Sequence, residues 1–331
     1  MLERQQAQKA AQGPVPQNDE VRDVSLPARL YASAYTHRLL PAGLALTLAS
    51  GIGPVVRHRR NSAERRDGQR FMADLLLHTP RAGESDELAE RWLVEKSKLG
   101  ELFWRPWLLE RSRILGREHL EVAQRRGRGC LIVSGHIGGH WSVVTILIRH
   151  GIEHYAVSHP HHWEPMPPGY KGLAKLHMRH AYLEKPLGAE RIILSNGPPE
   201  RPLRLLEAGN NLLIAFDVAG SAATPFLGRS VALAGGPATL AFRTKSPMIP
   251  AIPRRQGTRI DLRLLSPIYP EDHEDPRSLR AAIAEAFEPE VLAHPESVEL
   301  PWFPSPLVTE IPPKGPPAGV EEDAMPAVRS G

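Results

Sequence analysis

The chain has 331 residues, of which 41% are hydrophobic and 24% are charged, the proportions of a soluble globular protein with a sizeable core. Its 41 basic and 37 acidic residues leave a net charge of +4, too small an excess to predict nucleic-acid binding, although anionic membrane surfaces and acidic ligands suit it. The single cysteine, Cys130, excludes an internal disulfide and any multi-cysteine zinc site, and its apolar neighbours predict a buried thiol.

The chain opens with a polar segment, residues 1–25, which is predicted to be disordered and has no apolar core of the kind found in secretory signals. Residues 39–56 follow as an uncharged stretch of eighteen residues, with RHRR (57–60) directly after it. Three interpretations remain open for this stretch: a membrane-spanning helix, a helix on a membrane surface, or a buried helix. Two prolines and three glycines argue against the spanning helix, and the basic flanks favour the surface helix.

Hydrophobic periodicity divides the rest of the chain into two parts. Residues 26–124 are predicted to be helical, because their apolar residues recur every three to four positions without strand-like alternation. Residues 125–310 alternate short apolar runs with helical stretches, which predicts an α/β domain with a mostly parallel central sheet flanked by helices. The predicted strands are 130–133, 154–157, 191–194, 211–216, 248–252 and 259–265, and the predicted helices lie near 139–150, 171–183, 201–208, 236–245 and 277–292. The Pro-rich tail, residues 311–331, is predicted to be disordered.

The motif SGHIGGHW (134–141) lies where a predicted strand passes into a helix, at the sheet edge where ligands of α/β proteins collect. Gly138 and Gly139 allow a sharp turn there, and their backbone N–H groups at the helix start are candidate oxyanion donors. His136 is placed to act as a general base on a hydroxyl or amine that attacks an acyl group. Taken alone, the motif is equally compatible with a histidine that has no catalytic role.

Nine of the fifteen histidines lie between His136 and His180, so a metal site must be considered. His136 and His140, together with one of His159, His161, His162 or Glu164, would be suitable ligands for Zn²⁺. However, the sequence has no HExxH pattern, and the glycine pair places His136 outside a regular helix. We therefore predict no metal, and a polar loop for HPHH (159–162).

Three stretches, in order along the chain, resemble the bacterial lipid A late acyltransferases (lauroyl/myristoyl type) of the lysophospholipid-acyltransferase-like superfamily. RGRGCLIVSGHIGGHW (126–141) is similar to the strand and histidine motif of that family, and LLEAGNNLLIAFDVAG (205–220) to its strand ending in aspartate. The most specific stretch, TPFLGRSVALAGGPATLAFRTKSPMIPAIPRR (224–255), resembles its aromatic-Gly-Arg loop, Gly-Pro helix start and following strand. The apolar stretch at 39–56 also resembles the membrane-associating helix of such enzymes.

The resemblance fails at one catalytic position. The family carries an aspartate or glutamate five residues after its histidine, where it orients the imidazole, but this chain has Trp141 there. Asp217, Glu164 and His140 are the candidates to replace that acid. HPESVELPWF (294–303) echoes the C-terminal element of the family only in part, and Trp302 and Phe303 are expected to pack on the body of the protein or on lipid.

The resemblance implies a fatty acyltransferase with an altered active-site acid. It would use an acyl-CoA or acyl-carrier-protein thioester, a lipid, glycolipid or carrier-bound acceptor, and no other cofactor, at the cytoplasmic face of the cell membrane as a peripheral or monotopic protein. His136, Asp217 and His140 are the catalytic candidates, and the substrate-binding candidates are Gly138, Gly139, Trp141, Glu164 and Arg229. A catalytically weak acyl-binding protein of the same fold and a metal-dependent hydrolase are the alternatives.

Overall fold

The computed structural model describes residues 21–60 and 62–299. Its helices are α1 (Leu26–Tyr31), α2 (Ala34–Leu39), α3 (Ala42–Arg60), α4 (Ser62–Leu76), α5 (Ser85–Phe103), α6 (Arg117–Gln124), α7 (Val143–Arg149), α8 (Tyr170–His177), α9 (Lys185–Leu187), α10 (Glu200–Glu207), α11 (Gly236–Thr244) and α12 (Pro276–Ala293). Its strands are β1 (Ile114–Leu115), β2 (Leu131–Ser134), β3 (Tyr155–Ser158), β4 (Ile192–Leu194), β5 (Leu212–Ala215), β6 (Ala219–Phe226), β7 (Arg229–Leu233), β8 (Met248–Gln256) and β9 (Arg259–Leu264). The predicted tail at 311–331, Trp302, Phe303 and most of the predicted segment 1–25 lie outside the described residues.

Seven strands form one sheet in the order β1-β9-β8-β2-β5-β3-β4. Neighbouring strands run parallel, except that β8 and β9 pair antiparallel. The four residues of β2 are buried, as expected for a central parallel strand covered on both faces. Leu131 and Val133 pack into one hydrophobic cluster and Ile132 into a second, because successive side chains of a strand point to opposite faces. The fold is therefore a helix–sheet–helix α/β arrangement, which confirms the predicted class.

Two parts of the sheet structure differ from the predictions. The two-residue strand β1 lies inside the region predicted to be helical, and it is too short to leave a periodic signal. Strands β6 and β7 form a separate antiparallel hairpin, where the sequence predicts only a loop around PFLGR (225–229). Leu227 and Gly228 form its turn. Both have positive φ, as the two central residues of a type I′ hairpin turn require.

The stretch at 39–56 falls mostly within α3, which packs on α5. Ala45 and Leu46 are buried, whereas Leu44 and Leu48, one helical turn apart on the same face, are 50% and 40% exposed. Within residues 21–60 and 62–299, no helix has the length and apolar character needed to cross a membrane. Of the three interpretations of this stretch, the spanning helix is therefore not supported.

Candidate active site

The site is built at the carboxyl ends of two neighbouring parallel strands. In the register of β2 and β5, Ser134 lies opposite Ala215, so both strands end at the same edge of the sheet. His136 follows the end of β2 by two residues, and Asp217 follows the end of β5 by two residues. The matched lengths of these connections bring the two side chains together, although 81 residues separate them along the chain.

Asp217 holds both the side chain and the backbone of His136. Its Oδ1 lies 2.8 Å from Nδ1 of the imidazole, and its Oδ2 accepts a hydrogen bond from the His136 backbone N–H at 2.6 Å. The side chain of Asp217 is only 5% exposed. This two-point contact fixes the ring and favours the tautomer with the proton on Nδ1, so that Nε2 is the basic nitrogen.

The pKa values of the pair move apart in opposite directions. Burial alone would lower the pKa of His136, but the charge and hydrogen bond of Asp217, with a smaller effect of Glu299, raise it above its ordinary value. Burial alone would raise the pKa of Asp217, but His136 and, to a lesser degree, His140 lower it. Asp217 is therefore a buried carboxylate that stabilises a proton on the neighbouring imidazole.

A second histidine–carboxylate pair, which the sequence does not suggest, lies beside the first. Nδ1 of His140 is 3.2 Å from Oε2 of Glu299, and the rings of His136 and His140 are 4.5 Å apart between centroids. Burial would raise the pKa of Glu299, but the charge and hydrogen bonds of His140, with the backbone N–H of Gly139, lower it. His140 is thus oriented by Glu299 and does not replace the acid beside His136.

The segment after α12 holds the backbone of the turn. Gly138 donates its N–H to the carbonyl of Ser297 at 2.8 Å, and Glu299 donates its own N–H to the carbonyl of His136 at 2.7 Å. The N–H groups of Gly139 and His140 both donate to Oε1 of Glu299. In this conformation the chain itself accepts the N–H groups of Gly138 and Gly139, which the sequence predicts as oxyanion donors.

His136 and His140 line a cavity of about 470 Å³. This volume lies within the range of roughly 300–1,000 Å³ that is usual for small-molecule binding sites. Its polar lining includes His136, His140, His159, His162 and Arg243. Most of the wall is apolar and includes Trp141, Val144, Leu183, Ile193, Leu213 and Leu240. The cavity therefore combines a long apolar surface with a cluster of imidazoles at the sheet edge.

The remaining predicted binding residues are divided between the cavity and other places. Trp141 lines the cavity and is 6% exposed, packed between Phe103 and Tyr182. Glu164 is exposed and is not among the cavity-lining residues. Arg229 does not line the cavity either: it starts β7 directly after the hairpin turn, and its guanidinium lies 3.8 Å from Asp74 of α4.

Two histidines of the HPHH loop, His159 and His162, line the cavity. Burial, with a smaller effect of neighbouring histidines, lowers the pKa of His161 to about 4 and that of His162 to about 3. Among residues 21–60 and 62–299, no group of three or more histidine, cysteine or acidic side chains is arranged to hold a metal ion. The described geometry therefore gives no support to the zinc alternative.

One segment of the chain matches the model of a known protein family. Residues 214–302 match the model of a family described as bacterial lipid A biosynthesis acyltransferase. This segment contains Asp217 and Glu299 but not the two histidines.

Among solved structures, the chain is similar to a crystal structure of the 1-acyl-sn-glycerophosphate (LPA) acyltransferase PlsC from Thermotoga maritima. The identity is 13% and the TM-score 0.36, over 72% of this chain and 97% of that one. No curated protein sequence matches the chain.

Proposed function

We propose that this protein transfers a fatty acyl group from a thioester, acyl-CoA or an acyl carrier protein, to a hydroxyl or amine of a lipid, glycolipid or carrier-bound acceptor. The observation that carries the proposal is the His136–Asp217 pair, whose histidine lines a largely apolar cavity. The family match over residues 214–302 supports the same chemistry independently of the histidine motif.

In the proposed reaction, His136 is the general base and Asp217 orients it. Nε2 of His136 accepts the proton of the acceptor hydroxyl or amine as that group attacks the thioester carbonyl. Asp217 stabilises the imidazolium that forms, which is the role of the carboxylate in histidine-based acyl transfer. The acid that the related family carries five residues after its histidine is thereby replaced by a residue from the neighbouring strand.

The apolar wall of the cavity suits the hydrocarbon chain of the acyl group. An unbranched chain gains roughly 0.8 kcal/mol for each methylene that leaves water. Trp141 and Leu183 contribute to this wall, and His136 lines the same cavity, so in this proposal the acyl carbonyl lies near His136 while the chain extends along the apolar wall. No metal or organic cofactor is required in this proposal beyond the acyl donor.

The test of the proposal is release of free thiol from a panel of acyl-CoA and acyl-carrier thioesters, with and without candidate acceptors. We expect acceptor-dependent release by the wild type and a loss of about 10³-fold in His136→Ala, because general-base assistance is removed. Thiol release that is independent of the acceptor and unchanged in His136→Ala would contradict the proposal.

Two alternatives have distinct outcomes in the same assay. A catalytically weak acyl-binding protein would bind acyl thioesters without releasing thiol. A metal-dependent hydrolase would release thiol without an acceptor and would lose this activity in chelator, whereas the proposed transferase keeps full activity there.

We also propose that the N-terminal helices bind the surface of an anionic membrane, at the cytoplasmic face of the cell membrane. Leu26 and Leu30 of α1 share one face and are 69% and 56% exposed, and Leu44 and Leu48 of α3 share another. Basic side chains, including the exposed Arg29 and Arg38, accompany these leucines in the sequence. Exposed leucines combined with basic residues are typical of helices that lie in the membrane interface.

Binding to vesicles that contain anionic phospholipid tests this second proposal. We expect the double variant Leu44→Ser/Leu48→Ser to bind at least about tenfold more weakly, since burying one leucine is worth roughly 1.5–3 kcal/mol. The matched control is Leu115→Ser/Val122→Ser, which removes two apolar side chains with 52% and 46% exposure outside the N-terminal helices. Equal vesicle binding by both variants in a flotation assay would contradict the proposal.

A further inference from the structure

The turn that carries His136 has no available backbone N–H group for an oxyanion. His136 donates its N–H to Asp217, Ile137 to the carbonyl of Gly135, and Gly138 to the carbonyl of Ser297. The N–H groups of Gly139 and His140 donate to Glu299. An acyl transfer at His136 nevertheless develops negative charge on the thioester carbonyl oxygen, and that charge must be stabilised by a donor in the site.

The side chain of His140 is in the position to supply that donor. It lines the same cavity as His136, and the two rings are 4.5 Å apart between centroids. Glu299 lies 3.2 Å from Nδ1, so Nδ1 carries a proton and Nε2 is the nitrogen left for a ligand. With a second proton, Nε2 becomes a charged donor, and the Glu299 carboxylate stabilises that imidazolium from the opposite side of the ring.

We infer that His140, as an imidazolium held by Glu299, donates a hydrogen bond to the carbonyl oxygen of the acyl thioester and takes the place of backbone oxyanion donors. This inference rests on the proposed acyltransferase function. His140 is then a catalytic residue, and Glu299 is a positioning residue that acts through it. The two histidine–carboxylate pairs have different roles. The His136–Asp217 pair transfers the proton of the acceptor, and the His140–Glu299 pair stabilises the negative charge on the carbonyl oxygen.

The reaction balances with these roles. The acceptor oxygen or nitrogen forms a bond to the carbonyl carbon as its proton passes to Nε2 of His136, and the carbonyl π electrons move to the oxygen that faces His140. When the carbonyl re-forms, the carbon–sulfur bond breaks and its electron pair goes to sulfur. The proton on His136 then passes to the thiolate, so both histidines return to their starting protonation states.

The carboxylates around His140 favour a protonated histidine in the site. The groups that face it are His136 from the end of β2, Asp217 from the end of β5, His162 from the loop after β3 and Glu299 from the segment after α12. Arg243 of α11 lines the same cavity. Two buried carboxylates against two neutral imidazoles give a charge of −2, so each proton taken up by the two histidines lowers the net negative charge of the site by one.

The test compares His140→Gln, His140→Ala and Glu299→Gln with the wild type in acyl transfer across a range of pH. We expect His140→Ala to lose about 10²–10³-fold in kcat with little change in KM, the cost of removing one oxyanion donor. His140→Gln, which keeps an N–H donor without charge, should retain more activity than His140→Ala. Glu299→Gln, which removes the carboxylate that orients the ring, should lower kcat with little change in KM, and the double variant His140→Ala/Glu299→Gln should be no slower than His140→Ala.

A matched pair on the protein surface serves as the control. His180 and Glu184, in a π-helical stretch at Met178–Glu184, are also a histidine–carboxylate pair, 2.6 Å apart, but the histidine is 49% exposed and neither residue lines the cavity. His180→Ala and Glu184→Gln should leave kcat and its pH profile unchanged. A purely structural role of Glu299 would instead make His140→Ala/Glu299→Gln much slower than His140→Ala alone, and this outcome would overturn the inference.

A measurement without turnover separates this inference from the proposed function. NMR of ¹⁵N-labelled imidazoles should show that His140 carries its proton on Nδ1 in the wild type and loses this preference in Glu299→Gln, because the contact with the carboxylate is removed. If it does not, the inference fails even where the wild type transfers acyl groups. If the wild type transfers none, the proposed function and the oxyanion role fail together. Wild-type transfer with full activity in His140→Ala overturns the oxyanion role alone.

Discussion

Asp217→Asn is expected to lower kcat for acyl transfer by the order of 10³–10⁴-fold, because asparagine neither fixes the productive tautomer of His136 nor stabilises the imidazolium. The asparagine side chain would still fill the same buried space, so the fold should be retained. If Asp217 acts only through His136, the double variant His136→Ala/Asp217→Asn should be no slower than His136→Ala alone.

The pH profile gives Asp217→Asn a second, independent readout. A general base works only when neutral, so activity of the wild type should rise with pH through the raised pKa of His136, above its ordinary value of 6.5. Without the carboxylate, burial is the main remaining influence and it lowers the pKa, so the acid limb of kcat/KM should move to lower pH while the plateau falls. An acid limb that stays in place in Asp217→Asn would show that another group controls it.

Gly138→Ala is expected to destabilise the protein by about 3 kcal/mol or more and to abolish activity. Gly138 has a φ of +61°, which costs an alanine roughly 1–2 kcal/mol. A Cβ at this position would also lie only 2.1 Å from the carbonyl oxygen of Pro253 in β8, so the turn or the strand must move, at a further cost of roughly 1–3 kcal/mol.

Gly127→Ala is the matched control for this prediction. Gly127 has a φ of +74°, but a Cβ there meets no atom within 4 Å, so only the conformational cost of roughly 1–2 kcal/mol applies. Urea unfolding of the two variants separates the contact with β8 from backbone strain. If both lose the same stability, the close approach of the turn to Pro253 is not important for the fold.

The main elements of the fold can be predicted because each leaves a local signal. The four residues of β2 are buried and follow an apolar run, and α12 begins at Pro276 after a capping aspartate and presents a periodic apolar face. Strand β1 and the β6–β7 hairpin escape prediction because pairing with distant residues, not local periodicity, determines them. Helix α3 admits three interpretations in the sequence, because an apolar stretch does not show which of its faces is covered.

The site can be predicted only in part, for a related reason. His136 follows a strand in a glycine-containing turn, so its position at the functional edge of the sheet is visible in the sequence. Asp217 is a candidate because it follows another strand. That it contacts His136 depends on the pairing of β2 with β5, which the sequence does not show. Glu299 gives no such signal, because it is 159 residues from His140 and belongs to a short segment without regular periodicity.

The long separations within the two pairs also determine when the site can form during synthesis. Residues 136–140 leave the ribosome well before Asp217, and Glu299 follows after a further 82 residues. Until that last segment has docked, the N–H groups of Gly139 and His140 lack their acceptor, and the turn is not fixed. A nascent chain therefore carries His136 and His140 for on the order of ten seconds before Glu299 is available to fix the turn.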